Sequence, residues 1–325
     1  MVRTVAAWSG RARLILSAAY LIALAASLLA SRTVAAGLIA PDVIDARESQ
    51  YNDIEVTRRG ELVTLGFRHH SRVYNESTVN LRDPLQLIAP YTRSMMAGLF
   101  YATAVRSVLD IGFGAGRTAG YVHAFVPGAR VTSVELDPDV IDLARKHFGV
   151  RDDDRFHVVT RDGRMFLAET GERYDVILID AYRGPFVPFH LLTTEFYRLI
   201  AEHLKPGGVV VQNVEPTTML FDASAKTIGA VLPNVDAYRA GANVVLVAYD
   251  GPERMPAALA AAAVARQDAY GFRYDLRQLL RDRRRLADER GAVDPAAGVL
   301  TDDFAPVDAL KAIQHHNRRW STQPP

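Results

Sequence analysis

The sequence predicts an α/β protein whose core is a doubly wound, mostly parallel β-sheet. Short apolar segments alternate with amphipathic helical segments between residues 105 and 250, which is typical of a parallel sheet covered by helices on both faces. The first apolar segment, residues 108–111, runs directly into a glycine-rich turn. The second, residues 130–134, ends in an acid, Glu135. Ligands of such sheets bind beyond the carboxyl ends of the strands, where the turn and Glu135 both lie.

The glycine-rich turn contains Gly112, Gly114 and Gly116, and a helix is predicted behind it over residues 118–125. A strand, a glycine turn and the start of a helix bring backbone N–H groups close to a ligand. An acid at the tip of the second strand, here Glu135, is where a Rossmann-type fold binds ribose hydroxyls. Glycine turns also close ordinary strand–helix junctions, so the turn alone is weak evidence. The combination favours a nucleoside-binding site.

The later elements continue the alternation of strands and helices. Asp137 and Pro138 predict the cap and first residue of a helix over residues 138–148. The predicted strands are 156–160, 174–180, 209–213, 235–238 and 244–249, and the predicted helices are 163–167, 193–203 and 223–231. The last two strands are expected to form an antiparallel pair. Because Asp162 and Asp180 also follow strands, they should meet Gly112 and Glu135 in one crevice.

The amino-terminal part has a different character. Residues 14–30 form an uncharged stretch of 17 residues that follows arginines at positions 3, 11 and 13. This length favours a retained membrane anchor over a cleaved signal segment, with a buried helix as the third alternative. The arginines favour an exported domain. Because a nucleoside donor is expected inside the cell, we instead expect a cytoplasmic domain on a membrane anchor.

Further elements are predicted before and after the core. Residues 42–50 read as a polar linker, residues 54–65 as a β-hairpin in a small β-rich module, and residues 90–104 as one helix. At the carboxyl end we predict helices over 255–266 and 276–290; residues 301–306 either cap a last helix or cover the crevice. The expected domain ranges are 1–41, 42–104, 105–250 and a helical extension over 251–325.

Composition excludes several classes of function. The net charge is +1, which does not favour nucleic acid as a partner. The chain has no cysteine, so disulfides, thiolate metal sites and a cysteine nucleophile are excluded. The pairs His69-His70 and His315-His316 lack the spacing of a metal site. We therefore expect no metal.

Several motifs together resemble one family. They are residues 48–54, 111–117, 134–137, 162–163, 174–180 and 204–208. In combination they resemble the spermidine synthase (polyamine aminopropyltransferase) family. Residues 180–190 and 301–306 are most similar to its bacterial spermidine synthase-like branch, which is often fused to membrane transporters. The resemblance covers roughly residues 48 to 250, and it implies a methyltransferase-type Rossmann-like domain behind a small β-domain, and a homodimer.

The resemblance also implies roles for the strand-end residues. Glu135 would hold the ribose hydroxyls of a sulfonium nucleoside, and Asp162, followed by Gly163, would contact the adenine amino group. Asp180 would be the base that removes a proton from an amine; alternatively, it only caps the following turn. The implied co-substrate is S-adenosylmethionine or its decarboxylated form, and the partner is a small amine or an amino-acid-like acceptor.

The sequence departs from this family at the expected substrate positions. Ala115 stands where the family has an aspartate that binds the donor's ammonium, and Arg183 stands where an acid helps to hold a diamine. Arg93 replaces a further acid in the stretch that begins at Tyr91, and Asn52 replaces a glutamine. An arginine suits a carboxylate or phosphate better than an ammonium.

We therefore expect Asn52, Tyr91 and Arg183 to form an acceptor site that differs from that of true spermidine synthases. Two alternatives stay open: a methyltransferase that uses intact S-adenosylmethionine, and a non-catalytic module that binds a nucleoside.

Overall fold

The structure is a computed structural model that describes residues 41–69, 71–183, 186–216, 220–288 and 293–303. In this part of the chain, twelve strands form two sheets, one of four strands and one of eight. Nine α-helices accompany them. The predicted β-rich module and the predicted doubly wound sheet are both present.

The smaller sheet is formed by strands β1 to β4 in sequence order. Their bounds are Asp42–Glu48, Asp53–Arg59, Leu62–His69 and Arg72–Asn80. The pairing of β2 with β3 confirms the predicted hairpin, which turns at Gly60 with φ of +61°. The prediction of a linker over residues 42–50 was wrong, because Asp42–Glu48 forms strand β1. This strand lacks an apolar alternation and is instead fixed by ion pairs, such as Arg47 with Asp139 at 2.7 Å.

The larger sheet has the strand order β12-β10-β11-β9-β8-β5-β6-β7. Its strands are β5 Ser107–Ile111, β6 Arg130–Glu135, β7 Phe156–Thr160, β8 Tyr174–Ile179, β9 Leu204–Val214, β10 Asn234–Ala240, β11 Asn243–Tyr249 and β12 Arg283–Arg285. Strands β5 to β9 are parallel, whereas β11 runs antiparallel to both of its neighbours. This is the Rossmann-like sheet of methyltransferase-type folds, as the sequence predicts.

Helices cover both faces of the larger sheet. They are α1 Pro90–Met95, α2 Gly98–Tyr101, α3 Arg117–Phe125, α4 Pro138–His147, α5 Gly163–Glu169, α6 Thr194–Glu202, α7 Phe221–Val231, α8 Pro256–Tyr270 and α9 Leu276–Leu279. Successive strand residues point to opposite faces, so Val108 packs in a cluster with Val122 of α3, whereas Leu109 packs in a cluster with Phe196 of α6. The central strand β8 is therefore fully buried, and the polar residues at the strand ends line the crevice.

Two predicted helices are shorter than expected. The segment 90–104 is divided into α1 and α2, and a side chain at Gly98 would come within 2.6 Å of Val211. The segment 276–290 is helical only over Leu276–Leu279, and then forms a 3-10 turn and strand β12. Arg283 explains this difference: it pairs with the buried Asp236 at 3.0 Å, so this arginine stretch is part of the sheet and not a solvated helix face.

The prediction of a membrane-anchored protein is corrected. Among the residues that the structure describes, none of the helices combines the length and the apolar character needed to cross a bilayer. The apolar segment 14–30, and with it the predicted amino-terminal helix, lies outside the described residues.

Candidate active site

The crevice at the carboxyl edge of the larger sheet is a cavity of about 730 Å³. Nine of the ten predicted site residues line it: Asn52, Tyr91, Gly112, Gly114, Glu135, Asp162, Gly163, Asp180 and Arg183. The tenth, Gly116, does not line this cavity. Gly116 directly precedes helix α3 as its N-cap and has φ of +67°. A side chain at this position would overlap the ring of Phe113, so glycine is needed here for packing. The topology thus brings residues from six separate elements and loops to one place.

The glycine turn closes tightly against the end of strand β8. Gly112 has φ of +92°, and its N–H donates to the carbonyl oxygen of Val134 at 3.0 Å. A side chain at Gly112 would overlap the backbone of Asp180 and Ala181. Glycine is therefore required here because the backbone of the turn and that of the following strand end are in direct contact.

Glu135 is held in a fixed orientation by the backbone. One carboxylate oxygen accepts the Gly114 N–H at 3.0 Å, and the other accepts the Asp137 N–H at 3.1 Å. Burial raises the pKa of Glu135 above its usual range, although both hydrogen bonds favour the ionised form. Because a carboxylate has about four acceptor positions, two remain for donors such as ribose hydroxyls.

Asp162 caps helix α5 and also contacts a histidine. Its Oδ1 accepts the Met165 N–H at 2.9 Å, and its Oδ2 lies 2.8 Å from Nε2 of His190. The hydrogen bond with His190 lowers the pKa of Asp162, so the group is an anion at neutral pH. The cap on helix α5 and the contact with His190 are compatible, since they involve different oxygens of the Asp162 carboxylate.

Asp180 is positioned by a chain of amides. The side-chain N–H of Asn213 donates to Oδ1 of Asp180 at 2.8 Å, and Asn243 in turn donates to the Asn213 side-chain oxygen at 2.9 Å. Tyr91 makes a further hydrogen bond to Asp180. Burial raises the pKa of Asp180 to about 6, against the lowering effect of its partners Asn213 and Tyr91. Such a carboxylate is ionised at pH 7 yet basic enough to accept a proton.

The predicted acceptor residues occupy different positions around the cavity. Asn52 donates to Asp137 at 2.9 Å, and Asp137 also accepts the Ser49 hydroxyl, so the amino-terminal motif is bound to the start of helix α4. Arg183 is exposed, and its guanidinium has no hydrogen-bond or ion-pair partner among the described residues. Arg93 does not line the cavity: it donates to the Leu87 carbonyl and lies over the Tyr274 ring.

Sequence reasoning missed two residues at the site. Asn213 lies next to the last residue of strand β9, after the apolar residues 209–211, and this polar position was an available signal. Glu76, on the polar strand β4, gave no such signal. It lines the cavity, and burial raises its pKa to about 8, with smaller contributions from the charges of Asp180 and Glu135. No group of three or more potential metal-ligating side chains is present in the described ranges.

Comparison with known proteins agrees with this geometry. Residues 90–241 match the family model of the spermine/spermidine synthase domain. A probable polyamine aminopropyl transferase of Bifidobacterium longum is 30% identical over 277 residues, which are 81% of this chain and 61% of the relative. The polyamine aminopropyltransferase of Vibrio vulnificus is 28% identical over 280 residues, which are 83% of this chain and 91% of the relative.

A solved structure shows the same fold. The crystal structure of a probable spermidine synthase from Corynebacterium glutamicum superposes with a TM-score of 0.60 at 19% identity, and covers 82% of this chain and 99% of that one. The fold, the motifs at the strand ends and the sequence match agree with one another. The chain is therefore similar, in sequence and in fold, to the spermine/spermidine synthase family.

Proposed function

We propose that this chain transfers an alkyl group from a sulfonium nucleoside to the nitrogen of a small amine. One observation carries the proposal: carboxylates at the ends of strands β6, β7 and β8, which are Glu135, Asp162 and Asp180, line the same cavity. The match to the spermine/spermidine synthase domain, and the similarity to polyamine aminopropyltransferases, support transfer of an aminopropyl group. The donor would be decarboxylated S-adenosylmethionine or S-adenosylmethionine itself.

The donor's nucleoside would occupy the part of the cavity between the glycine turn and helix α5. Glu135 would accept hydrogen bonds from the ribose hydroxyls, and Asp162 would accept one from the adenine amino group. Both carboxylates are fixed by backbone N–H groups, so they would need no reorganisation on binding. The cavity volume, about 730 Å³, is large enough for a nucleoside and a second small molecule.

The reaction would be a displacement at the carbon next to the sulfonium. The amine lone pair forms the new C–N bond, the C–S bond breaks, and its electron pair remains on sulfur to give a neutral thioether. The amine's surplus proton passes to Asp180, the base. Because the leaving thioether is neutral, it needs no acid, and most of the acceleration would come from alignment of the reactants.

The acceptor would differ from a simple diamine because Arg183 lies on the cavity wall. A guanidinium about 4 Å from a second ammonium would repel it by about 4 kcal/mol at an effective dielectric near 20. Exposure of Arg183 reduces this penalty through solvent screening. An amine whose far end carries a carboxylate or phosphate would avoid the repulsion altogether, so we infer an amino-acid-like acceptor.

Product analysis tests the proposal. The full chain is incubated with each donor and a panel of amines, with and without an acidic group, and the nucleoside product is identified by mass spectrometry. We expect methylthioadenosine, the product of aminopropyl transfer. S-adenosylhomocysteine would instead indicate methyl transfer, and methylthioadenosine binding without turnover would indicate a binding module. Tight binding of putrescine in calorimetry would contradict the altered acceptor.

A further inference from the structure

Glu76 on strand β4 is a cavity residue to which the proposed reaction gives no role. Its atom Oε1 is buried and has no hydrogen-bond partner in the part of the chain that the structure describes. A buried carboxyl oxygen without a partner is costly. Such a cost is commonly offset by a ligand that supplies the missing donor, so the position of Glu76 is informative.

Strand β4 brings Glu76 against the glycine turn. The hydroxyl of the next residue, Ser77, accepts the N–H of Ala115 at 3.2 Å. The charges of Asp180 and Glu135 both act on the Glu76 carboxyl. Glu76 therefore lies near both the proposed ribose-binding acid and the proposed base, on the wall of the same cavity, and the alkyl chain of a bound donor would pass there.

The position of Ala115 explains why an acid is needed elsewhere. Ala115 is fully buried in an apolar cluster with residues of the smaller sheet, including Ile54, Val56 and Leu65. A carboxylate at this position would be placed among these side chains. The family's ammonium-binding acid in the turn is thus replaced by a packing residue, and the acid nearest along the contacting strand is Glu76.

The charges around Glu76 have one sign. The groups whose charges act on Glu76 are the three acids Asp180, Glu135 and Glu215. The nearby cation Arg117 is directed elsewhere, since it donates to the carbonyl oxygens of Pro84, Ala115 and Phe148. In this part of the described cavity, a cationic ligand is favoured and an additional carboxylate is disfavoured.

We propose that Glu76 binds the terminal ammonium of the donor's alkyl chain and thereby selects decarboxylated S-adenosylmethionine over the intact molecule. The intact molecule would bring its own carboxylate beside Glu76, Glu135 and Asp180. The inference rests on the proposed function and specifies its donor. By this inference, Glu76 determines the specificity for the donor. Glu76 would bind the ammonium that the family binds with an acid at the position of Ala115.

Calorimetry with three ligands tests the role of Glu76. The ligands are decarboxylated S-adenosylmethionine, S-adenosylmethionine and methylthioadenosine, which has no ammonium. In Glu76→Gln, we expect affinity for the decarboxylated donor to fall about 10- to 100-fold, the range for one hydrogen bond to a charged group. Affinity for methylthioadenosine should be unchanged. Glu61→Gln is the matched control: Glu61 lies in the turn between strands β2 and β3, is partly exposed and paired with Arg82, and is outside the cavity.

The wild-type chain offers a second measurement that needs no variant. Because the pKa of Glu76 is about 8 without ligand, the group is mostly protonated at pH 7. An ammonium would stabilise the carboxylate, so binding of the decarboxylated donor should release about one proton at pH 7. Its affinity relative to methylthioadenosine should rise from pH 6 toward pH 8. Calorimetry in buffers of different ionisation enthalpy measures the released proton.

Two results would overturn the inference. The first is equal affinity of wild type and Glu76→Gln for the decarboxylated donor. The second is an equal loss of affinity for the decarboxylated donor and for methylthioadenosine in Glu76→Gln. Failure of the wild-type chain to bind methylthioadenosine would instead contradict the proposed function itself, because that ligand does not require Glu76.

Discussion

The two halves of the cavity are built from different parts of the fold. In the proposed donor half, formed by Gly114, Glu135 and Asp162, each carboxylate accepts at least one backbone N–H from the loops or the helix that follow the strands. In the proposed acceptor half, formed by Arg183 and Phe186, both side chains are exposed on the loop after strand β8, and Phe186 is 43% exposed. Backbone groups thus fix the proposed donor half, whereas exposed loop side chains form the proposed acceptor half.

This difference bears on how the two substrates would be recognised. Groups fixed by backbone N–H donors lose little conformational entropy on binding, so they suit a ligand that is common to many enzymes. Loop side chains change with little effect on the fold, so they suit a ligand that differs between family members. Substitutions in the two halves should therefore have effects of different kind and size.

Asp180→Asn is expected to have the largest effect, because Asp180 lies between the two halves. Loss of the base should lower kcat by about 10²- to 10⁴-fold. Methylthioadenosine should bind as it does to the wild type, since the amide keeps the shape of the side chain. Single-turnover kinetics and calorimetry provide the two measurements. An unchanged kcat would show that another group removes the proton.

Glu135→Gln tests the donor half. The amide has one acceptor oxygen and would place an N–H donor against either the Gly114 or the Asp137 N–H. We expect affinity for methylthioadenosine to fall about 10- to 100-fold, the range for hydrogen bonds to a charged group. Glu169→Gln, on the exposed surface of helix α5, is a suitable control. If both variants bind the nucleoside equally well, Glu135 does not hold the ribose.

Asn213→Ala should change the pH dependence of the reaction. The hydrogen bond from Asn213 lowers the pKa of Asp180, which is about 6, so its removal should raise that pKa further. The activity, which requires ionised Asp180, should then appear at higher pH. For a rise of about one pKa unit, we expect a loss of about fivefold at pH 6, approaching about tenfold below pH 5, and recovery at pH 8. A loss that is the same at every pH would indicate a structural defect.

Arg183→Asp tests the acceptor half and should have the smallest effect. Because Arg183 is exposed, its interaction with a charged acceptor is worth only about 0.2–1 kcal/mol, or roughly two- to fivefold in KM. The change should favour diamines over acidic amines and leave kcat with a saturating acceptor nearly constant. A larger preference for diamines would show that the loop closes over Arg183 when substrate binds.

The parts of the fold that could be predicted from sequence are those with local patterns. Strand β7 has the predicted bounds, and Asp137 caps helix α4 as expected, because both are determined by neighbouring residues. Strands β1 and β12 were missed because charged residues form them, and partners far along the chain stabilise them. Propensity and periodicity do not report such pairing.

The same distinction applies to the candidate site. Residues at strand tips, such as Glu135 and Asp180, could be predicted because parallel strands end at one edge of the sheet. The exposure of Arg183 and the burial of Glu76 could not, since both depend on how a loop and a second sheet pack around the cavity. The position of Arg93 outside the cavity could not be predicted either, because it depends on packing against Leu87 and the distant Tyr274.

The amide chain from Asn243 through Asn213 to Asp180 has a consequence for how this enzyme family can diversify. The orientation of Asp180 is set from strands β9 and β11, in the interior of the sheet, and not from the loop that follows it. Beyond Tyr182, which donates to the Asn213 carbonyl oxygen, that loop could therefore change in length or charge while the Asp180 carboxylate keeps its place. If the proposed roles hold, a new acceptor would require exchange of one surface segment and no change in the strands beneath it.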